Sequence, residues 1–148
     1  MGRPIKWTSQ PAKSHEAKAK EVCRNYGRLK AAIAEKEKML ADIKQEWDDA
    51  ISDLERSIRE EHYSECKREY EKQSTQLKIM ELSLSRVSDS DARTAVKQFY
   101  FERVPLKSMR DSNGYLFGKS RADYYKGKGF KEFVVNLENA DFFGKISS

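Results

Sequence analysis

Proline is missing between Ala12 and Val104, and Gly27 is the only glycine between Arg3 and Asn113. Nothing in that stretch marks a bend. Cysteine is limited to Cys23 and Cys66, far apart and in no CxxC arrangement. That excludes a disulfide scaffold and makes a reducing intracellular compartment the expectation. No apolar run approaches the roughly 20 residues a membrane helix requires, and the first residues lack the apolar stretch of a signal peptide. A soluble, cytoplasmic protein with no membrane partner is expected. Hydrophobic residues make up only 38% of the 148 residues and charged residues 36%. The core must therefore be small for the length, a balance that suits a long exposed helix better than one globule.

Recognisable site chemistry is equally scarce. No Ser/His/Asp or Cys/His arrangement has a supporting context, and carboxylate pairs such as Asp48-Asp49 and Glu60-Glu61 fall in a charged helical stretch, where solvation is their ordinary role. His62 and Cys66 are one helical turn apart, with His15 and Cys23 upstream. A structural zinc site wants four ligands in close groups, so these read as positions on a helical seam. The run Gly114-Tyr115-Leu116-Phe117-Gly118-Lys119-Ser120 has a bulky, shortened spacing between its glycines and no preceding strand, unlike a phosphate loop. No catalytic residue, metal or cofactor is expected, and the chain does not read as an enzyme.

What the chain has in quantity is charge, unevenly spread. Residues 1–20 carry five cations against Glu16, residues 21–84 twelve cations against fifteen anions, and residues 85–148 twelve against eight, for a net +5. Positive ends around a slightly acidic middle are expected where the ends meet phosphate and the middle meets protein.

Residues 1–14 hold two of the three prolines and read as a flexible basic arm. Gly2-Arg3-Pro4 matches the core of an AT-hook, although a solvated tail is the commoner meaning of three such residues. Over residues 15–85, Val22, Tyr26, Leu29, Ile33, Leu40, Ile43, Trp47, Ala50 and Leu54 fall on alternating three- and four-residue steps, interrupted by Lys36. This is the seam of a coiled coil. Past Leu54 the apolar and aromatic positions advance in four-residue steps through Ile58, His62, Cys66 and Tyr70, which drift round a helix and loosen a supercoil. An unbroken helix here would be on the order of 100 Å long at 1.5 Å per residue. The alternative is a helical hairpin folded near Trp47–Ala50 or Glu60–Ser64; the periodicity slightly favours the long helix. Because such a stripe cannot stay exposed on a monomer, homodimers or higher oligomers are expected, held by Val22, Tyr26, Leu29, Ile33, Leu40, Ile43, Trp47 and Leu54.

Residues 86–138 change character. Ser88, Asp89, Ser90 and Asp91 can each cap a helix, and Ala92, Ala95, Val96, Phe99 and Tyr100 give that helix an apolar face. Val104-Pro105 ends it, and Pro105 suits the start of a short helix carrying Leu106 and Met109. Asp111-Ser112-Asn113-Gly114 is a turn signal. Ser120 is expected to cap a last helix through Tyr124, Phe130, Phe133, Val134 and Leu137, with Tyr124, Phe130 and Phe133 as core. Gly127 and Gly129 each cost that helix about 1 kcal/mol relative to alanine. Residues 139–148 read as a short frayed tail in which Phe142 and Phe143 can dock back. The fold class is thus all-α: a long coiled-coil helix or helical hairpin, then a small helix-turn-helix head.

The layout of a charged helical half followed by MELSLSRVSDSDARTAVKQFYFERVPLKSM, a turn and GKSRADYYKGKGFKEF resembles phage-encoded transcriptional regulators of the ArpU type, whose C-terminal part is similar to region four of bacterial sigma factors. The likeness covers roughly residues 77–136. The segment from Phe101 to Leu106 occupies the step between helices, and Ser120-Arg121-Ala122-Asp123-Tyr124-Tyr125 opens the recognition helix. The interval from Met109 to Ser120 is longer than in that family, so the turn is enlarged, and the polar break usual in the family's coil is not evident. The resemblance implies a sequence-specific regulator of phage or prophage origin, resident in the host cytoplasm, with double-stranded DNA, itself and RNA polymerase as partners.

Charge supports a nucleic-acid role independently. From Arg103 to Lys131 the cations are Arg103, Lys107, Arg110, Lys119, Arg121, Lys126, Lys128 and Lys131, against Asp111 and Asp123 alone. Such a patch beside an apolar framework is the footprint of a nucleic-acid reader. Arg121 is expected at a base edge or phosphate, Ser120 at a phosphate through the helix N-terminus, and Lys119, Lys126 and Lys128 at phosphates. Tyr125 is expected to stack or to donate to phosphate, and Lys107 and Arg110 to hold the neighbouring backbone. A different reading of the same features is a phage DNA-packaging or scaffold-type coiled-coil assembly protein with a basic end.

Overall fold

The structure, a computed structural model, describes residues 10–48 and 52–146, without the side chains of Trp47 and Asp48. Most of the expected basic arm, including Gly2-Arg3-Pro4, lies outside the described residues, as do Ala50 and the tip of the expected fold-back. The protein is all-α. Six α-helices occur among the described residues: α1 (Lys13–Arg24), α2 (Tyr26–Asp48), α3 (Asp53–Ser85), α4 (Ser90–Val96), α5 (Lys119–Asn139) and α6 (Phe142–Ile146). They divide into two compact units, one drawing on the chain up to Tyr26 and from Lys78 onward, the other formed by Gly27–Leu77.

The Gly27–Leu77 unit is an antiparallel helical hairpin, not one long helix. Lys36 pairs with Glu69 at 3.5 Å, the Tyr70 hydroxyl donates to Glu37 at 2.8 Å, and the Arg59 guanidinium donates to the Glu46 carbonyl. The numbers of each pair sum to nearly the same value, as antiparallel pairing demands. The seam expected to seek a second chain is therefore largely covered by the chain itself. Ile33 and Ile43 are buried, with Leu29 and Leu40 half-buried. On α3 the inward positions are Arg59, Tyr63, Cys66, Tyr70 and Leu77, whereas Leu54 is 71% and Ile58 58% exposed. The register changes because α3 starts afresh. Ser52 precedes it, and its hydroxyl accepts from the Glu55 N–H at 3.1 Å while its carbonyl accepts from Arg56 at 3.0 Å. This is the Ser-x-x-Glu arrangement of a helix start.

The other unit is built on α4 and α5, which touch at Gly129. A Cβ there would lie 2.6 Å from the Ala92 carbonyl oxygen and 2.7 Å from a Val96 methyl. In this unit Met80, Val87, Val96, Phe133, Val134, Leu137 and Phe142 are buried. The short α6 replaces the expected frayed tail, because Phe142 and Phe143 are both inside. α1 belongs to this unit and not to the coil: Ala19 and Cys23 are buried, and just beyond its end Tyr26, the first residue of α2, meets Phe101 edge-on at 4.9 Å. Burial pushes the Cys23 thiol up to about 12, so it stays protonated and unreactive at ordinary pH. The entry of α1 is fixed by Glu138, 1% exposed, which accepts from the Ala12 N–H at 3.2 Å and pairs with His15; the His15 ring is stacked on Phe143 at 4.2 Å.

Asp89 is the cap of α4, accepting from the N–H groups of Asp91 and Ala92 at 2.8 and 3.0 Å. The helix continues as a π turn, Lys97–Phe101, and stops where Val104 N–H returns to the Gln98 carbonyl at 2.8 Å. Arg103 holds the left-handed position of that stop, with φ 60°. Glycine is usual there, and any other residue costs roughly 1–2 kcal/mol.

Candidate nucleic-acid interface

Between the π turn and α5 the chain makes a single turn of 3-10 helix, Leu106–Ser108, where a short helix beginning at Pro105 was expected; Pro105 itself is the residue before the turn. The enlarged loop that follows is a tied hairpin. Phe117 N–H donates to the Met109 carbonyl at 3.1 Å, Asp111 N–H to Tyr115 at 2.7 Å, and Arg110 bridges to Leu116 in antiparallel fashion. The Asp111 carboxylate accepts from the N–H groups of Asn113 and Tyr115 at 2.9 and 3.0 Å. The Gln98 amide grips both sides of Arg110, receiving its N–H at 2.9 Å and donating to its carbonyl at 2.5 Å. Asp91 accepts from the Ser112 hydroxyl and N–H at 2.7 and 3.0 Å, which together hold its carboxyl below the usual range, with Arg121 adding to the effect. Met109 and Phe117 then close a small core with Ala95 and Ala122, against which Phe99, Val104, Leu106 and Tyr125 pack. The loop presents Tyr115 (73% exposed) and Leu116 (56%) outward.

α5 begins at Lys119, preceded by Gly118 at φ 79° with no side-chain cap. Ser120 is thus inside the first turn and not the cap, because glycine's left-handed freedom turns the chain into the helix one residue earlier. At 100° per residue, Ser120, Arg121, Tyr124, Lys128 and Lys131 fall within about one quarter to one third of the helix circumference. All five are exposed. The Arg121 guanidinium rests 5.6 Å from the Phe117 ring centre and 5.8 Å from that of Tyr125, a cation–π seat that holds it while leaving it accessible. Lys128 reaches Asp89 at 3.7 Å and lies 6.0 Å from the Tyr124 ring.

The expected contact residues therefore separate. Lys107, Arg110, Lys119, Ser120 and Arg121 are exposed; Lys107 and Lys119 have no ion-pair partner among the described residues, and Arg121 acts on Asp91 through its charge alone. The Arg110 side chain is bent back to the Gly114 carbonyl at 2.9 Å. Tyr125 is half-buried against Phe117 at 5.6 Å, which leaves it a supporting ring and not an outward stacker. Lys126 points elsewhere, 3.3 Å from Asp123 and 4.5 Å from the Phe99 ring centre. Tyr124, expected in the core, is 61% exposed, whereas Phe130 and Phe133 are buried as expected.

Tyr115, Leu116, Tyr124 and Lys131 on or near the basic face were missed as contact candidates. Tyr124 was recoverable from spacing: Ala122, Gly129 and Phe133 mark the buried line of α5, and Tyr124 stands two residues off it. The Asn113-Gly114 pair signalled the turn of the loop, and its hairpin form was not drawn from it. Among the described residues no group of His, Cys, Asp and Glu side chains converges as a metal site would require, and no helix is long and apolar enough to cross a membrane. Compared with known proteins, the chain matches no family model, no curated protein and no solved structure.

Proposed function

We propose that this protein is a sequence-specific DNA-binding transcriptional regulator of the phage-encoded kind, reading duplex DNA with the outer face of α5. The observation that carries the reading is the line Ser120, Arg121, Tyr124, Lys128 and Lys131, outward on one helix face, with Arg121 propped on two rings. A helix of that type fits the major groove, its first turns at base edges and its flanking cations at phosphate. The tied loop bearing Tyr115 and Leu116 is suited to brace the adjoining backbone, with Lys107 and Lys119 as further phosphate contacts. Contact with RNA polymerase belongs to the same reading.

Self-association is part of it on a different surface. Leu29, Ile33, Leu40 and Ile43 are engaged within the hairpin, so among its described residues the large apolar side chains left for a second copy are Leu54, Ile58 and Met39, the last 38% exposed. Twofold pairing would give two half-sites in the DNA. The same exposed pair, Leu54 and Ile58, favours the second reading, an assembly or packaging protein that touches DNA without reading it.

Arg121→Ala decides between them. A regulator loses about 1–3 kcal/mol on its selected duplex and much less on random duplex. Equal losses on both would make Arg121 a phosphate contact and favour the assembly protein.

A further inference from the structure

A cavity of about 350 Å³ opens away from the outer face of α5, walled by Lys20, Arg24, Phe99, Tyr100, Arg103 and Lys126. Its size is within the range of small-ligand sites. Four cations and no carboxylate line it. Clustered like charges repel one another until an anion joins them. The acidic groups nearby stand outside the wall: Asp123 holds Lys126, and Asp123 and Glu16 both act on the Tyr100 hydroxyl. Burial is the larger influence on that hydroxyl, and with Cys23 and the two carboxylates it pushes Tyr100 up to about 12, so the group remains a neutral donor.

The aromatic wall is ordered. Phe99 and Tyr100 meet edge-to-face at 4.9 Å, and Tyr100 is backed by Phe130 at 4.1 Å. Two backbone irregularities occur on this wall: the π turn that carries Phe99 and Tyr100, and the left-handed Arg103. π turns gather at functional sites, and strain at a non-glycine residue points to a need for its side chain. Glycine would satisfy that backbone freely; what arginine adds is a guanidinium at the cavity.

We propose that this cavity binds a nucleotide, its phosphate among Lys20, Arg24, Arg103 and Lys126 and its flat base against Tyr100, beside the Phe99 ring that carries Lys126. Guanidinium forks match phosphate oxygens, and a base stacks on any exposed ring face whatever its identity. The chemistry is common to a free nucleoside monophosphate and to an unpaired nucleotide of a single strand. The site shares only Lys126 with the residues expected at duplex DNA and does not depend on that reading.

Calorimetric titration of the full chain with AMP, inorganic phosphate and a short single-stranded thymidylate oligomer tests it. AMP is expected to saturate one site at least about tenfold more tightly than phosphate, the difference a stacked base supplies. Arg103→Gly is expected to weaken AMP by at least about tenfold, the loss of a charge-assisted contact, without lowering the thermal midpoint, since glycine suits the backbone there. Arg24→Ala, at an exposed position of α1, is a second variant with the same expected loss. Saturation by the oligomer and not by AMP supports the site and assigns its nucleotide to a strand. Binding of neither, phosphate binding as tightly as AMP, or variants that bind like wild type each overturns the proposal and leaves duplex recognition untouched.

Discussion

Gly129 and Gly127 share a helix and look alike in the sequence, yet they do opposite things. Gly129 lets α4 approach α5 until the Ala92 carbonyl and Val96 fill the space of a side chain, whereas a Cβ at Gly127 would meet nothing within 4 Å. Gly129→Ala is therefore expected to destabilise the protein by about 1–3 kcal/mol, the usual cost of overpacking. Gly127→Ala should stabilise it by about 0.5–1 kcal/mol. Chemical denaturation of the two variants checks both signs. Reading both glycines as simple helix penalties was half right, because a close approach between two helices is not written in either one's own residues. The same limit hid the His15–Glu138 pair, whose partners stand more than a hundred residues apart. The candidate contact residues fared according to their helix angle. Arg121, Ser120 and Lys128 share one outward face, while Lys126 and Tyr125, chosen for charge and chemistry alone, face Phe99 and Phe117.

At the level of elements, most of the helix content was legible, although α6 was read as a frayed tail, and partners were less so. The three- and four-residue steps from Leu29 to Ile43 do mark a buried line; what they do not state is whose helix lies opposite. The hairpin, one of the two arrangements the sequence left open, had a readable cue in Ser52-Asp53-Leu54-Glu55, a helix start in the middle of the stretch. Continuing the apolar count across it carried the seam onto Leu54, Ile58 and His62, which are exposed, and met the inward face of α3 only at Cys66 and Tyr70. Ser52→Ala removes the hydroxyl that receives the Glu55 N–H and is expected to cost about 1 kcal/mol. The measurement is the urea midpoint followed by helical circular dichroism. An unchanged midpoint would mean that α3 needs no cap at Ser52. In the head, the punctuation at Asp89, Pro105 and Asn113-Gly114 was readable, but the hairpin form of the loop was not, since its fixings come from Gln98 and Asp91 on α4 and the π turn.

For the whole molecule, the proposed self-association rests on apolar residues that the hairpin leaves uncovered, Leu54 and Ile58 among them. Leu54 and Ile58 together replaced by glutamate should leave helicity unchanged and shift the sedimenting species to the 17.2 kDa monomer, because they lie outside the hairpin seam. Ile33→Asp with Ile43→Asp should instead melt the hairpin, since both are buried in it. The central claim concerns DNA, and fluorescence anisotropy on two labelled duplexes at matched salt tests it most directly, one duplex selected from a random pool by the protein and the other unselected. The account predicts that the selected duplex binds at least about a thousandfold more tightly and keeps that margin as salt rises. Equal affinity for the two duplexes, or no binding to either in dilute buffer, would contradict it.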